Sequence, residues 1–528
     1  MNNKSKSSII LTSLGAIALA GSVIAGATYA LFTSESKTNI AVSSGKVDVT
    51  ATVDSLTLSH KEANAEGVYE TIEGSLWSGT ATLDDKAQTL TLEKLVPMDK
   101  ITFNIVLTNN SNVAAKYRTV VEATEKNGLF SGLDITVNNE SFEGSKVRTD
   151  YADLAVGSEP ITIPVSIELP EEVGNEYQDT SCTLSYKVEA VQGNAFSGVY
   201  EVTPTNAQEV LDSVKDNATV ILTEGDYDKL YLRQDLDVST RRSDLDVDKY
   251  SYPAFYRAFK GLTIKAKEGA TVNCKGITLE GGLFWHDSAP ASNQEAMGRG
   301  NSGFISYLEV TDLTIEGINF NDNTSNAVYL RSNHSNAIGS PFLVDNLLIK
   351  NCTGTGDTTN EDVHFLLVSQ GIIDETFLST GKKAVNNIFV VNNTISSYYQ
   401  PICSNNASAV INGLTLKNNT FESCLSNIVQ LSQKEITGEL VFANNTLVSM
   451  KGRFARIANA SSDAVIRLRN NKVFTPIQYD EPTNPQIFKV TSEVAGFKVF
   501  DTNNEWEEGS FDEAKTTWIA LGSTTLIA

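Results

Sequence analysis

Paired asparagines begin at Asn392, Asn418, Asn444 and Asn470, 26 residues apart each time. Each pair closes an alternating apolar run, as in "FVVNNTIS", "LTLKNNTFESC", "LVFANNTLVS" and "IRLRNNKVF". A fixed period in the twenties with one short strand per unit is the signature of a solenoid, whose coils stack at the strand spacing of about 4.8 Å. Asparagine is poor inside strands, but it accepts the left-handed conformation that turns a chain out of one. At strand spacing its amide also reaches the same residue one coil away, as in the ladders of cross-β structures. The pairs therefore predict a parallel β-helix in which asparagine is turn residue and ladder at once. Thr394, Thr420 and Thr446 follow in register, and Ile395, Phe421 and Leu447 are expected in the core. Imperfect units at "LTIEGINFND", "LLIKNCTG" and "VFDTNNEW" extend the count to about ten coils from Ala218 onward.

Upstream of the repeats, "TNAQEVLDSVKD" is an amphipathic helix with Thr205 or Asn206 as cap and Val210, Leu211 and Val214 on one face. The buried strand "ATVILTEGDY" follows it. The helix is expected to cover the open end of the solenoid, where strand edges are otherwise unpaired. A short helix leading into such a strand resembles the entrance to right-handed parallel β-helices of the pectin-lyase-like superfamily. Between Ser34 and Gln192, period-2 runs such as "KVDVTATV", "ITFNIVLTNNS", "LDITVNN" and "ITIPVSIELP" alternate with turn residues, the pattern of a β-sandwich. The fold class is thus all-β, a jelly-roll-like sandwich followed by a right-handed parallel β-helix.

The N-terminus has a basic start, a long apolar run and small residues at Ala25, Ala27 and Ala30, the pattern of a signal peptide cleaved after Ala27 or Ala30. Three segments, "GATYALFTSESKTNIAVSSGKVDV", "LEKLVPMDKITFNIVLTNNSNVAAKYR" and "LPEEVGNEYQDTSCTLSYKVEAVQ", resemble the TasA/camelysin family in the order that family has them. Met98 stands where the family usually has glycine. The resemblance covers about a third of the chain. It implies export through a dedicated signal peptidase and a role in extracellular matrix or biofilm fibres of a Gram-positive bacterium, at the cell surface or secreted. The expected layout is a signal segment at 1–30, a sandwich at 31–195, a linker and capping helix at 196–217, and the β-helix with its C-terminal cap at 218–528. Cleavage near Ala30 would free an extended segment with apolar Leu31, Phe32, Ile40 and Val42, a candidate donor strand for self-assembly with a neighbouring subunit. The alternative is that this strand pairs within its own domain.

Composition narrows the function. With Lys+Arg 41 against Asp+Glu 64 the formal net charge is −23, which disfavours nucleic acid as a partner. Five widely spaced cysteines without C-x-x-C make neither a disulfide framework nor a zinc knuckle, and four histidines without H-E-x-x-H give no zinc protease. No metal site is expected, and the membrane is met only through the signal segment.

Function is then sought where the period breaks. Insertions at Asp235–Lys260, Phe284–Gly303 and Gly354–His364 are expected to line a rim beside a groove for an extended polymer. Trp285, His286, Asp287, Arg331, His334, Asp357 and Glu361 are the candidate glycan-binding residues, because aromatic faces and polar groups together hold sugar rings. Arg331, Asp362 and His364 are the candidate catalytic set of a polysaccharide lyase or glycosidase, with calcium as a possible aid in neutralising a uronate. The favoured reading is a structural matrix protein whose β-helix presents a glycan-binding face. The alternative is a surface-attached lyase or hydrolase.

Overall fold

A computed structural model describes residues 33–36, 47–233, 254–285, 303–333, 342–369, 385–404, 410–473, 488–491, 498–502, 504–506, 519–521 and 525–527, apart from short stretches at 85–87, 142, 178, 194–197, 433–434 and 450–451. The chain divides into two compact units, Met1–Ser197 and Gly198–Ala528.

The first unit is a sandwich of two antiparallel sheets. One has six strands in the order Tyr69–Glu73, Val49–Ala63, Lys100–Asn109, Ile161–Glu168, Asp134–Val137 and Glu140–Ser141. The other is built around Ala115–Asn127 and Ser181–Gln192. Alternation fixes the core: Ile101, Phe103, Ile105 and Leu107 from one sheet meet Leu184, Tyr186 and Val188 from the other. The "VNN" at Val137–Asn139 is a two-residue hairpin loop, with Asn138 and Asn139 at φ 52° and 64°. Thr33–Ser36 pairs antiparallel with Val188–Val191 of the same unit. That is the intradomain alternative for this strand; Leu31, Phe32, Ile40, Val42 and the signal segment lie outside the described residues.

The second unit is a parallel β-helix with three faces. The first face comprises the strands before the asparagine pairs, the second the short strands after them, and the third a further row that returns the chain. Among the described residues the second face holds nine strands, from Gly225–Tyr227 to Glu505–Trp506, all parallel. Parallel crossovers are right-handed almost without exception. The interior is one continuous apolar cluster from Val202 to Val499, including Ile395, Phe421 and Leu447.

The structure divides the work of each asparagine pair between its members. Asn392, Asn418, Asn444 and Asn470 take positive φ, 51–57°, and turn the corner. The second members point inward and form the ladder. Asn419 Nδ2 donates to Asn445 Oδ1 and to the Val390 carbonyl, while Asn419 Oδ1 accepts from the amide and backbone N–H of Asn393. The pattern repeats through Asn445 and Asn471 to Asn504, with amide–amide distances of 2.8–3.0 Å. Both donors and both acceptor positions of an interior amide are thereby used, which is what lets it be buried.

The helix Ala207–Ser213 covers the open end. Its Gln208 donates to the Tyr231 carbonyl and accepts from the Tyr231 N–H, filling the free edge of the lowest strand of the third face. Leu211 is buried and Val210 and Val214 pack on the core, the face expected from sequence. Asn206 is the N-cap residue, although its side chain accepts from the Thr203 N–H rather than from the helix.

The split between paired asparagines yields a contrast of neighbours. Asn445→Ala would orphan the Asn419 amide and the Leu416 carbonyl and is expected to lower stability by at least about 3 kcal/mol. Asn444→Gly keeps the left-handed turn and should stay within about 1 kcal/mol of the native chain. Urea unfolding followed by circular dichroism distinguishes the two; equal midpoints would remove the ladder from the account.

Candidate functional site

The insertions leave the solenoid at one corner. Strands of the third face end at Arg233, Trp285, Asn333, Ser369 and Ser404, and the chain resumes at Ala254, Gly303, Phe342, Val385 and Val410 on the way to the first face. The first four of these coils run longer than the 26-residue repeat and leave and re-enter the described strands along one border, whereas the coil through Ser404 and Val410 keeps the repeat length. In the second of these the chain departs as an antiparallel arm, Gly282–Trp285 against Gly303–Ser306. Trp285 therefore sits at the tip of a described strand; its side chain, and all of His286, Asp287 and His334, lie outside the described residues.

Gly354–His364 departs from this pattern, because it leaves from the corner between the second and third faces. Its glycines serve packing. A Cβ on Gly354 would come 2.5 Å from the Phe365 ring, and one on Gly356 would come 2.4 Å from the Tyr398 ring. Phe320, Phe365 and Tyr398 stack edge to face beneath this segment, at 6.2 and 6.4 Å between centroids. Asp357 is half-buried and caps its own turn: Oδ1 accepts from the Thr359 N–H at 2.8 Å and from its hydroxyl at 2.7 Å. Those bonds hold its carboxyl below the usual carboxylate range. Glu361 and Asp362 are exposed.

His364 is buried. Its Nδ1–H donates to the Gln400 carbonyl at 2.6 Å, and its backbone N–H donates to Asn326 Oδ1 at 2.7 Å. Burial pushes its pKa below the ordinary value, although the Gln400 carbonyl and Asp362 act the other way. Arg331 stands at the opposite end of the third face, in register with Ser369. Ser369 is five residues along its strand from His364, so roughly 16 Å separates the two positions. Arg331, Asp362 and His364 are thus not brought together, and the expected catalytic set is not formed. His364 is a structural residue of the corner.

Arg331 has another partner. Its Nη1 donates to Glu280 Oε1 at 2.7 Å on the neighbouring coil, with the Glu280 side chain 7% and the Arg331 side chain 45% exposed. Arg233, Glu280, Arg331 and Ser369 form one outward column, and Tyr231, Thr278, Tyr329 and Leu367 form the next. The Arg233 guanidinium lies over the Tyr231 ring at 4.9 Å. The third face therefore presents two tyrosines and an arginine-held carboxylate between the insertion corner on one side and Asp357–Asp362 on the other. Glu280, Arg233, Tyr231 and Tyr329 were not among the sequence candidates. The available signal was parity: "ITLEGG" carries a glutamate at the outward position of an otherwise apolar strand. Among the described residues no group of three His, Cys, Asp or Glu is placed to hold a metal ion. All five cysteines are buried and none forms a disulfide, with the thiols of Cys274, Cys352 and Cys424 pushed up to about 12 by burial.

No protein-family model matches the chain, and no curated protein matches it significantly. Among solved structures, it is similar to the catalytic domain of a GH87 alpha-1,3-glucanase in complex with tetrasaccharides, at 10% identity over 90% of this chain and 98% of that one, with a TM-score of 0.21. It is similar to the catalytic unit of a thermostable GH87 alpha-1,3-glucanase from Streptomyces thermodiastaticus strain HF3-3, at 11% identity over 85% and 95%, with a TM-score of 0.22. The Agl-KA catalytic domain aligns at 11% identity over 78% and 77%, with a TM-score of 0.20. Superpositions this loose carry no argument about fold or activity, so the β-helix rests on its own strand registers.

Buried His364 makes the solenoid acid-sensitive. The unfolded chain takes up a proton near the ordinary value of 6.5 while the folded chain, with its pKa lowered, does not. The histidine's contribution is therefore complete above that pH and falls as pH drops below it, by at most about 1.4 kcal/mol per pH unit. His364→Gln should be less stable than the native chain at pH 7.5, and the gap should narrow at pH 5.5, read as urea midpoints. A gap that widens in acid would reverse the sign.

Proposed function

We propose that this is an exported surface or matrix protein whose β-helix engages an extended polysaccharide along its third face. The observation that carries this reading is the outward pairing of Glu280 with Arg331 beside Tyr231 and Tyr329, bordered by four successive long connections. Tyrosine rings offer apolar faces to sugar rings, and the charged pair offers fixed donors and acceptors to hydroxyls. Coils stacked at about 4.8 Å spread these groups over three coils along the solenoid axis, which suits a polymer better than a compact metabolite. The sandwich, by its resemblance to TasA/camelysin domains, would provide assembly or attachment at the cell surface.

A second reading, glycoside hydrolysis or lyase chemistry on the same face, is favoured by one feature. Glu280 is a mostly buried carboxylate held by a half-exposed arginine, the kind of group glycan-cleaving enzymes employ. One experiment separates the two. The chain is incubated, with calcium, with a panel of uronate and neutral polysaccharides that includes an alpha-1,3-glucan. Binding is followed by affinity electrophoresis and cleavage by new reducing ends. Binding without new ends is expected, with Arg331→Ala and Tyr329→Ala each weakening it about fivefold or more. Reproducible release of ends, lost in Glu280→Gln, would replace binding by hydrolysis.

A further inference from the structure

The six-stranded sheet of the sandwich turns one face to the core and the other to solvent, and the solvent face carries a row with no structural duty. Strand register places Thr57 opposite Thr102, Thr102 opposite Ser166, Ser166 opposite Thr136, and Thr136 opposite Ser141. Residues in register share a face, so five hydroxyls line up across five strands over about 19 Å. Their in-strand neighbours Ile101, Phe103, Ile135, Val165 and Ile167 point the other way into the core, which fixes the parity of the row.

The row lies in a shallow trough of about 230 Å³. One wall is the bulge in the strand Val49–Ala63, where the register shifts between Asp54 and Thr57 and Ser55 takes φ 62°. The other is the tight Asn138–Asn139 turn, with Asn139 in the lining. Thr102, Asn104, Thr136 and Ser166 make no hydrogen bond through their side chains among the described residues; the Thr57 hydroxyl bonds only locally, to the Ser55 carbonyl at 3.2 Å. Hydroxyls and amides both donate and accept, so the trough is equipped for a ligand that does the same. It contains no charged side chain. In the row beside it, Lys100 and Glu168 neutralise each other at 3.1 Å.

We infer that this trough is a binding site for a neutral, hydroxyl-rich glycan lying across the strands, and hence a second carbohydrate contact carried by the sandwich itself. A polyanion is excluded by the lack of any unpaired cation in the trough, and an apolar ligand by the density of hydroxyls. The site depends on no residue of the third face, and the two are separable.

The test uses the full chain carrying Arg331→Ala and Tyr329→Ala, so that the third face is silenced and only the trough is read. The probes are hexasaccharides of β-1,4-linked glucose and of β-1,4-linked N-acetylglucosamine, with hexagalacturonate as the anionic control, titrated by calorimetry. At least one neutral hexasaccharide is expected to bind, more tightly than the anionic one. Thr102→Val with Ser166→Ala, which removes two hydroxyls and nearly keeps the shape, should weaken that binding about tenfold. Thr136→Lys should block it by filling the trough. Folding of each variant is checked by circular dichroism, which surface substitutions should leave unchanged. Absence of neutral-glycan binding, preference for the anionic probe, or affinity unchanged in both trough variants would each overturn the assignment.

Discussion

The column of buried amides from Asn393 to Asn504 is the interaction on which the regular half of the solenoid depends. An unpaired amide in that interior would cost a few kcal/mol, yet each rung here uses the next rung and the backbone of the preceding coil to satisfy itself. The arrangement works only if every coil brings its asparagine to the same height and azimuth, so a rung fixes the register of neighbouring coils. Three rungs join asparagines 26 residues apart, and the last, Asn471 to Asn504, spans 33. Below Asn393 the equivalent interior positions are Cys352 and Ile318, both buried, and there the separation relaxes to 41 and 34 residues. An apolar interior position tolerates variable connections because dispersion and burial have no direction.

That difference explains where the distinctive chemistry lies. The Glu280–Arg331 pair and the antiparallel arm at Gly282–Trp285 all belong to coils without an amide rung. The coils below Asn393 take the longer connections of 41 and 34 residues, and the coil that ends at Asn504 takes 33 even with a rung. The helix at Ala207–Ser213 and the ladder thus act from opposite ends: Gln208 satisfies the lowest edge, and the asparagines hold the upper coils in register.

Periodicity made the solenoid legible because it is a local property repeated at fixed distance, and the same holds for the inward residues Ile395, Phe421 and Leu447. What the sequence left ambiguous was the division of labour within each pair. Both asparagines look alike in a string; only the left-handed φ of Asn444 and the inward aim of Asn445 separate them. The pair recurs at Asn138–Asn139 as a hairpin loop and at Asn109–Asn110, where Asn109 Nδ2 donates to the carbonyls of Leu154 and Ala155. One dipeptide therefore serves three structures, and context decides. The candidate catalytic set failed for a different reason. Arg331 and His364 lie about one coil apart in sequence but at opposite ends of the third face, so the length of a strand separates them. Gly354–His364 was expected on the rim of a groove, whereas its Gly354 and Gly356 make room for Phe365 and Tyr398. The hydroxyl row of the sandwich was beyond reading, since it joins residues from Thr57 to Ser141 through register alone.

Charge then decides between ligand classes at both surfaces. A chain of net charge −23 repels polyanions at long range, but at physiological ionic strength that field decays over about 8 Å, so the groups within contact distance govern affinity. On the third face Arg331 is committed to Glu280 and Arg233 lies over the Tyr231 ring, and in the sandwich trough no cation is present. The trough has no positive charge to offset desolvation of a uronate or phosphate, so there a polyanion would meet distant repulsion without local compensation. A neutral polysaccharide meets neither penalty. Its hydroxyls exchange water for tyrosine rings, a fixed ion pair and a row of hydroxyls, interactions that are individually weak and accumulate only over an extended contact. The architecture, repeated coils in one unit and a five-strand row in the other, supplies that length.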